Sequence, residues 1–365
     1  MFPQVPAAPI LRSLVVARLL RQESFLAVEA LVCSPARKSM GVRTQFGDDV
    51  LGYLTERLDA DRLRGAAVGV VQRAKRNKAF EQSRWIGLAI DGTGAGRSRE
   101  KQCEDCRPVR NQKKEIVGYH HKAVMISVVG TGLTLPFDIE PYGPGDSEYA
   151  AGQRLLECAL KSLGARFANY VVVDGEFARA PFLHAAGDLG LRLVARLKDN
   201  LPELSEAARK RFAPKPPDRQ FRDGQDQVEI WDDDDFDPWQ TLRWKTVRVI
   251  RYRQHKADGT VLEAYWLTDF SKSEAGSQAV YYMAKSRWEI ENQGFNDAKN
   301  RHGFEHICHH HQNSLLINWL IIVLSMTLER LYRQRYLHRG IHSLLQSIQL
   351  LRLLWISLGH DLNTS

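Results

Sequence analysis

Two short apolar runs constrain this chain more than any other feature. Residues 85–90 read Trp-Ile-Gly-Leu-Ala-Ile and lead into Asp91-Gly92-Thr93-Gly94; residues 170–173 read Tyr-Val-Val-Val and lead into Asp174-Gly175. Brief apolar runs bounded by glycine have the pattern of strands buried on both faces. Each therefore predicts a core strand that ends by delivering an Asp, with the glycines opening a turn. Residues 122–129 and 133–139, joined by Gly130-Thr131-Gly132, predict a β-hairpin. Residues 148–163 predict a helix capped by Asp146 or Ser147, and residues 180–189 a second helix followed by a strand at 191–197. This order of strands and helices predicts an α/β fold, a mixed sheet flanked by helices.

A third carboxylate stands out later in the chain. Read as a helix, residues 281–305 carry an apolar stripe at Tyr281, Ala284, Trp288, Phe295 and Ala298, and the one gap in that stripe holds Glu291. An unpaired carboxylate at a core position is costly, so it needs a cation or strong donors. Arg287 lies one turn before it and Lys299 about two turns after it.

The flanks differ in character. Residues 1–84 read as a helical, basic N-terminal unit; residues 1–80 hold 13 Lys and Arg against 7 Asp and Glu. A cluster at Arg73, Lys75, Arg76 and Lys78 suits either DNA or a solvated helix face. Residues 85–199 form the first part of the core and 200–270 a β-rich insertion, with strands at 227–231, 244–252 and 261–268. Pro202, Pro214, Pro216 and Pro217 break up the start of that insertion, and the run 231–238 reads as a solvated acidic loop. Residues 271–365 hold the Glu291 helix, an apolar helix at 313–333 and a last helical stretch at 341–358. The most apolar run, 315–326, is too short to cross a bilayer and reads as a core helix.

Three carboxylates brought within a few ångströms repel by roughly 4 kcal/mol per pair at an effective dielectric of 20. Divalent cations relieve that repulsion, and oxygen-only donors favour Mg²⁺ or Mn²⁺ over zinc. Two such ions can activate an attacking oxygen and stabilise the leaving one at a phosphodiester. A net charge of +8 favours a polyanionic partner.

On these residues the chain resembles bacterial insertion-sequence transposases of the Asp-Asp-Glu type. Asp91-Gly-Thr and Asp174-Gly-Glu-Phe at strand ends, and the helix Arg287-Trp-Glu-Ile-Glu291 with Lys299, carry the likeness over about residues 85–310. It is similar in particular to the subgroup with a β-rich insertion before the Glu. That subgroup's signature has a Tyr three residues before the Arg and a Lys seven after the Glu. Here position 284 is Ala, with Tyr281 and Tyr282 close by, and the Lys stands eight after Glu291. The resemblance implies a ribonuclease H-like core and a catalytic, metal-binding triad of Asp91, Asp174 and Glu291 holding two Mg²⁺ or Mn²⁺ ions. It implies DNA contacts by Arg287, Lys299 and Tyr282, and an activity of cutting element ends and joining them to target DNA. It also implies a homodimer on paired double-stranded ends and a bacterial, nucleoid-associated setting. A silent DNA-binding regulator and a non-transposing nuclease of the same fold are the alternatives. In some relatives an insertion Trp stacks a flipped base; Trp231 and Trp239 stand in that region, with packing as the plainer role.

Five cysteines without a recognisable secretory leader suit a reduced, cytoplasmic protein. Cys103-Glu-Asp-Cys106 has zinc-ligand spacing but needs two more ligands. His120 and His121, or the run from His306 to His311 with Cys308, offer them as a structural zinc site. The plainer expectation is a reduced pair in a loop and surface histidines.

Overall fold

The computed structural model describes residues 5–337 and 347–359. Four helices come first: α1 (Ala7–Leu19), α2 (Phe25–Cys33), α3 (Asp48–Arg57) and α4 (Ala60–Arg76). The Asp59 side chain caps α4 by accepting from the amides of Asp61 and Arg62. The core follows as β1 (Gly87–Ser98), β2 (Arg107–Arg110), β3 (Ile116–Val129), β4 (Leu135–Pro141), α5 (Glu148–Leu163), β5 (Tyr170–Val173), α6 (Ala180–Asp188) and β6 (Arg192–Leu197). Ser147 caps α5. Strands β4, β3 and β1 pair antiparallel, and β1, β5 and β6 pair parallel. That is the ribonuclease H-like strand order. Helices α5 and α6 supply the crossovers that parallel strands require.

The region after β6 extends the same sheet. After α7 (Pro202–Phe212) come β7 (Arg219–Asp223), β8 (Asp226–Phe236), β9 (Val247–His255) and β10 (Val261–Thr268), and β10 pairs antiparallel with β6. The result is one ten-stranded sheet. Two expectations are corrected here. Pro202 opens α7 at its first turn, where a missing amide costs nothing, so it does not break structure. The acidic run lies within β8. Asp232 is buried in a two-bond pair with Arg248 (2.8 and 2.6 Å), Asp233 meets Arg211 and Lys215, and Asp234 meets Lys272. Three successive carboxylates thus have cations from neighbouring elements, a pairing invisible to a reading of local charge. Trp231 is buried, with its indole donating to the Lys215 carbonyl and Arg251 over its ring.

The chain ends in α8 (Ser277–Glu289), a π-helical turn (Ile290–Phe295), α9 (Asn296–Arg301), α10 (Gln312–Tyr332) and α11 (Ser347–Ser357). Residues 341–346 of the expected last helix lie outside the described residues. Helix α10 is longer than its apolar run, and long enough to cross a membrane by length and composition. It is nonetheless largely buried, packed against α1, α3, α4 and β4. The N-terminal helices therefore share a core with the C-terminal ones. Arg18, only 2% exposed, donates from α1 to the Asn318 side chain and to the carbonyls of Gln22 and Glu23.

Strand periodicity sets the site. Leu88 and Ile90 on β1, and Val171 and Val173 on β5, pack with α5 and α6; Ala89 and Val172 pack on the other face, with α8 and α10. Asp91 and Asp174 continue the second series, toward α8.

Candidate active site

Ile90 pairs with Val173 in the parallel ladder, so Asp91 and Asp174 occupy the next positions on neighbouring strands. One cation links Asp91 to the helix. Arg287 Nη1 donates to Asp91 Oδ2 at 3.1 Å and to Glu291 Oε1 at 2.7 Å. Arg287 is 5% exposed, its Nε has no hydrogen-bond partner among the described residues, and its guanidinium lies over the Trp288 ring. Asp174 Oδ2 accepts from Lys198 Nζ at 2.7 Å. The three carboxylates singled out in the sequence thus gather on one face of the sheet.

A fourth carboxylate approaches Asp91 from the α5 face of the sheet. Glu148, the first residue of α5, lies against β1: a Cβ at Gly92 would sit 2.2 Å from its carboxyl carbon. Its Oε2 accepts from Tyr142 Oη at 3.0 Å. The glycine therefore clears space for a carboxylate. It does not open a turn, because β1 runs on to Ser98 and pairs with β3 through and beyond Asp91. The expected strand end is corrected: β1 continues, and only its partner β5 stops. A Glu at the start of a helix reads in sequence as a complement to the helix dipole, which hid its second neighbour.

The electrostatics separate the two Asp residues. Burial pushes the Asp91 carboxyl up to about 7; Arg287 and the Gly92 amide oppose this, while Glu291 and Glu148 add to it. Burial also works against the charge of Asp174, but the Lys198 hydrogen bond, the Gly175 amide and the charges of Lys198 and Arg287 outweigh it, and its carboxyl titrates below the usual range. A carboxyl cluster this close, with one member reluctant to ionise, lacks positive charge. Its all-oxygen donor set fits a hard divalent cation.

The helix that carries Glu291 is pinned at several points. Ser286 Oγ and Tyr170 Oη lie 2.9 Å apart, tying α8 to β5. Glu289 accepts from the Gly130 amide and from Thr134 Oγ1 at the β3–β4 turn. The two glutamates of Arg-Trp-Glu-Ile-Glu thus diverge, Glu289 to an anchor and Glu291 to Asp91. The π turn begins beside Glu291 and absorbs one residue. Eight residues of plain α-helix turn by about 800°, whereas one extra residue taken up in a π turn leaves roughly the 700° of seven. Lys299 accordingly returns to the side of Glu291, where Nζ donates to the Gly94 carbonyl at 2.8 Å and pairs with Glu305 at 3.1 Å. The expected stripe is corrected at Trp288, which is 42% exposed, while Arg287 takes the inward position. Tyr282 is 44% exposed beside Phe221 and Tyr281, and the Tyr281 hydroxyl donates to Asp223.

Cys103 and Cys106 stand apart from these groups, in the arm between β1 and β2, with sulfurs 3.6 Å apart. His121 is 1% exposed, so the expectation of surface histidines is corrected at that position.

A ribonuclease H-like sheet with acidic side chains gathered at the centre of one face defines a class of polynucleotide-processing folds. Residues 60–328 match the family model described as Transposase DDE domain, and the chain belongs to that family. Among solved structures it is similar to a piggyBac transposase synaptic complex with hairpin DNA, at 14% identity and a TM-score of 0.46, with 98% of this chain and 72% of that chain covered. No curated protein matches it.

Proposed function

We propose that the chain cuts DNA at the ends of a mobile element and joins the freed ends to target DNA, with Asp91, Asp174 and Glu291 as the catalytic carboxylates. The observation that carries this reading is the meeting of Asp91 and Glu291 on the Arg287 guanidinium, beside the neighbouring strand position of Asp174. The three carboxylates would hold Mg²⁺ or Mn²⁺, which when bound supplies Lewis-acid activation of the phosphodiester.

The chain's own residues prepare that chemistry. Arg287 holds Asp91 and Glu291 in register and lowers their mutual repulsion. The anchors at Tyr170 and Glu289 fix the helix on which Glu291 rides. Asp91 keeps a proton on its carboxyl up to about pH 7 and must release it to serve as a charged ligand. Lys198, half exposed beside Asp174, and Lys299 are the cations through which DNA phosphates are steered to the site. Tyr282 offers an exposed ring on the same helix. A second copy of the chain on the paired element end completes the assembly.

The test is cleavage of labelled duplexes bearing the sequences that border the gene, with Mg²⁺ present. The unaltered protein nicks at the border and Glu291→Gln does not. Cutting retained by Glu291→Gln at the native rate overturns the assignment.

A further inference from the structure

We propose that Cys103, Cys106, His121 and His310 bind one structural zinc ion. Their ligand atoms all lie within 4.8 Å of one another. The two sulfurs are 3.6 Å apart, His121 Nε2 is 3.7 and 3.6 Å from them, and His310 Nδ1 is 3.4 Å from His121 Nε2. Zinc bonds of about 2.3 Å to sulfur and about 2.0–2.1 Å to nitrogen give tetrahedron edges of roughly 3.4–3.8 Å. The four separations among the sulfurs, His121 Nε2 and His310 Nδ1 given above fall in that range, and the remaining two lie within 4.8 Å.

Other accounts of the cluster do less well. Both cysteines are free, so no disulfide explains the approach. Hydrogen bonding does not explain it either. One ring nitrogen either donates or accepts a single hydrogen bond. His121 Nε2 has three neighbours at near-equal distance, the pattern of one corner of a coordination shell. Cys106 and His121 are 3% and 1% exposed, and buried polar groups need a strong partner. Two thiolates and two imidazoles are a soft donor set that selects zinc over Mg²⁺, and four protein ligands close the shell.

The position gives the ion its role. His121 pairs with Ala95 on β1, four residues beyond Asp91, and so lies about 13 Å along the strand from the carboxylates. It takes no part in their chemistry. Its ligands come from the arm between β1 and β2, from β3, and from the segment between α9 and α10. The same junction is braced by the Gly96 amide donating to Glu305 and by Ile307 packed over Gly96. Zinc therefore staples the strand that carries Asp91 to the chain that follows Glu291. The proposal is independent of whether the protein cuts DNA.

Metal analysis of the full chain, purified reduced and passed through zinc-free buffer, decides the matter. The expected result is one zinc per chain, falling below about a tenth in Cys103→Ser/Cys106→Ser and staying at one in Cys33→Ser/Cys158→Ser and in Asp91→Asn. Should the double variant fail to fold, X-ray absorption on the unaltered protein still tests the site. Two sulfurs at about 2.3 Å and two nitrogens at about 2.0–2.1 Å support it; a shell without sulfur overturns it. An unaltered protein that holds no zinc, and whose melting temperature does not rise when zinc is added, overturns it too. So does a folded double variant that keeps its zinc.

Discussion

Strands β1 and β3 carry two clusters of ligand-type side chains, and the two meet the cost of gathering them in different ways. Around Asp91 the donors are carboxylates. They repel, one of them holds its proton up to about 7, and Arg287 stands between two of them. Around His121 the donors are cysteine sulfurs and histidine nitrogens, all within 4.8 Å of one another, with no carboxylate among them. The first cluster is partly open, with the Glu291 side chain 36% exposed and that of Asp174 24% exposed. The second has two of its four ligands buried. A site that exchanges ions and admits a phosphate needs openness and a provisional cation. A site that fastens the fold needs neither.

The comparison breaks most sharply through paired substitutions. Asp91→Asn or Glu291→Gln should lower DNA cleavage by at least about a thousandfold and leave bound zinc at one per chain. Metal analysis and a gel-based cleavage assay on the same preparation read both numbers. Loss of zinc in either variant would show that the two clusters are not separate sites.

Arg287 comes next. Removing it as Arg287→Ala leaves Asp91 and Glu291 facing each other without a cation, at a predicted cost of about 2–4 kcal/mol in the metal-free protein. Because Mg²⁺ can take over part of the neutralisation, the melting-temperature deficit should shrink as Mg²⁺ is added, by more than the shift Mg²⁺ gives the unaltered protein. A deficit that Mg²⁺ leaves unchanged would make Arg287 a packing residue. Arg287→Lys should recover most of the stability, because a single nitrogen makes both observed contacts.

Titration provides a gentler probe. The Asp91 carboxyl is raised in the fold to about 7 and lies near 4 when unfolded. The folded state thus holds the proton more tightly. That contribution to stability is fully present below about pH 4 and is lost as pH rises toward 7 in metal-free buffer. Asp91→Asn should remove this slope. Binding a divalent cation demands the opposite, the ionised form, so the Mg²⁺ concentration for half-maximal cleavage should rise by up to about tenfold per unit as pH falls below 7. A midpoint independent of pH between 5.5 and 7 would mean that the ion does not meet Asp91.

Much of this arrangement was legible in the residues. The apolar run ahead of Asp174 and the helix at 148–163 carry their own local signals, and the structure reproduces them at the same bounds, with Ser147 rather than Asp146 as the cap. What local signals missed involves distant partners. Gly92 reads as a turn because glycine usually marks one; its need is set by Glu148, more than fifty positions away. Asp232 looks solvated until Arg248 comes beside it from the next strand. The extra residue between Glu291 and Lys299 looks like a departure in spacing because a π turn leaves no mark on the hydrophobic pattern. Cys103 and Cys106 were half of a ligand set whose other half depended on which of several histidines the fold turned inward.

The smallest expected effect tests the least visible of these contacts. In Gly92→Ala the new Cβ would lie 2.2 Å from the Glu148 carboxyl carbon. That carboxyl is the far end of a flexible side chain, so it can swing away. Stability should change by less than about 1 kcal/mol, while Glu148 leaves the neighbourhood of Asp91. Since Glu148 helps to raise the Asp91 carboxyl, its departure should lower that value and shift the Mg²⁺ midpoint profile toward acid. Glu148→Gln should shift it the same way without the steric change. If both act through one carboxylate, the double variant should shift the profile no further than either single one. Additive shifts would mean that Gly92 serves β1 directly and that Glu148 is a bystander to the cluster.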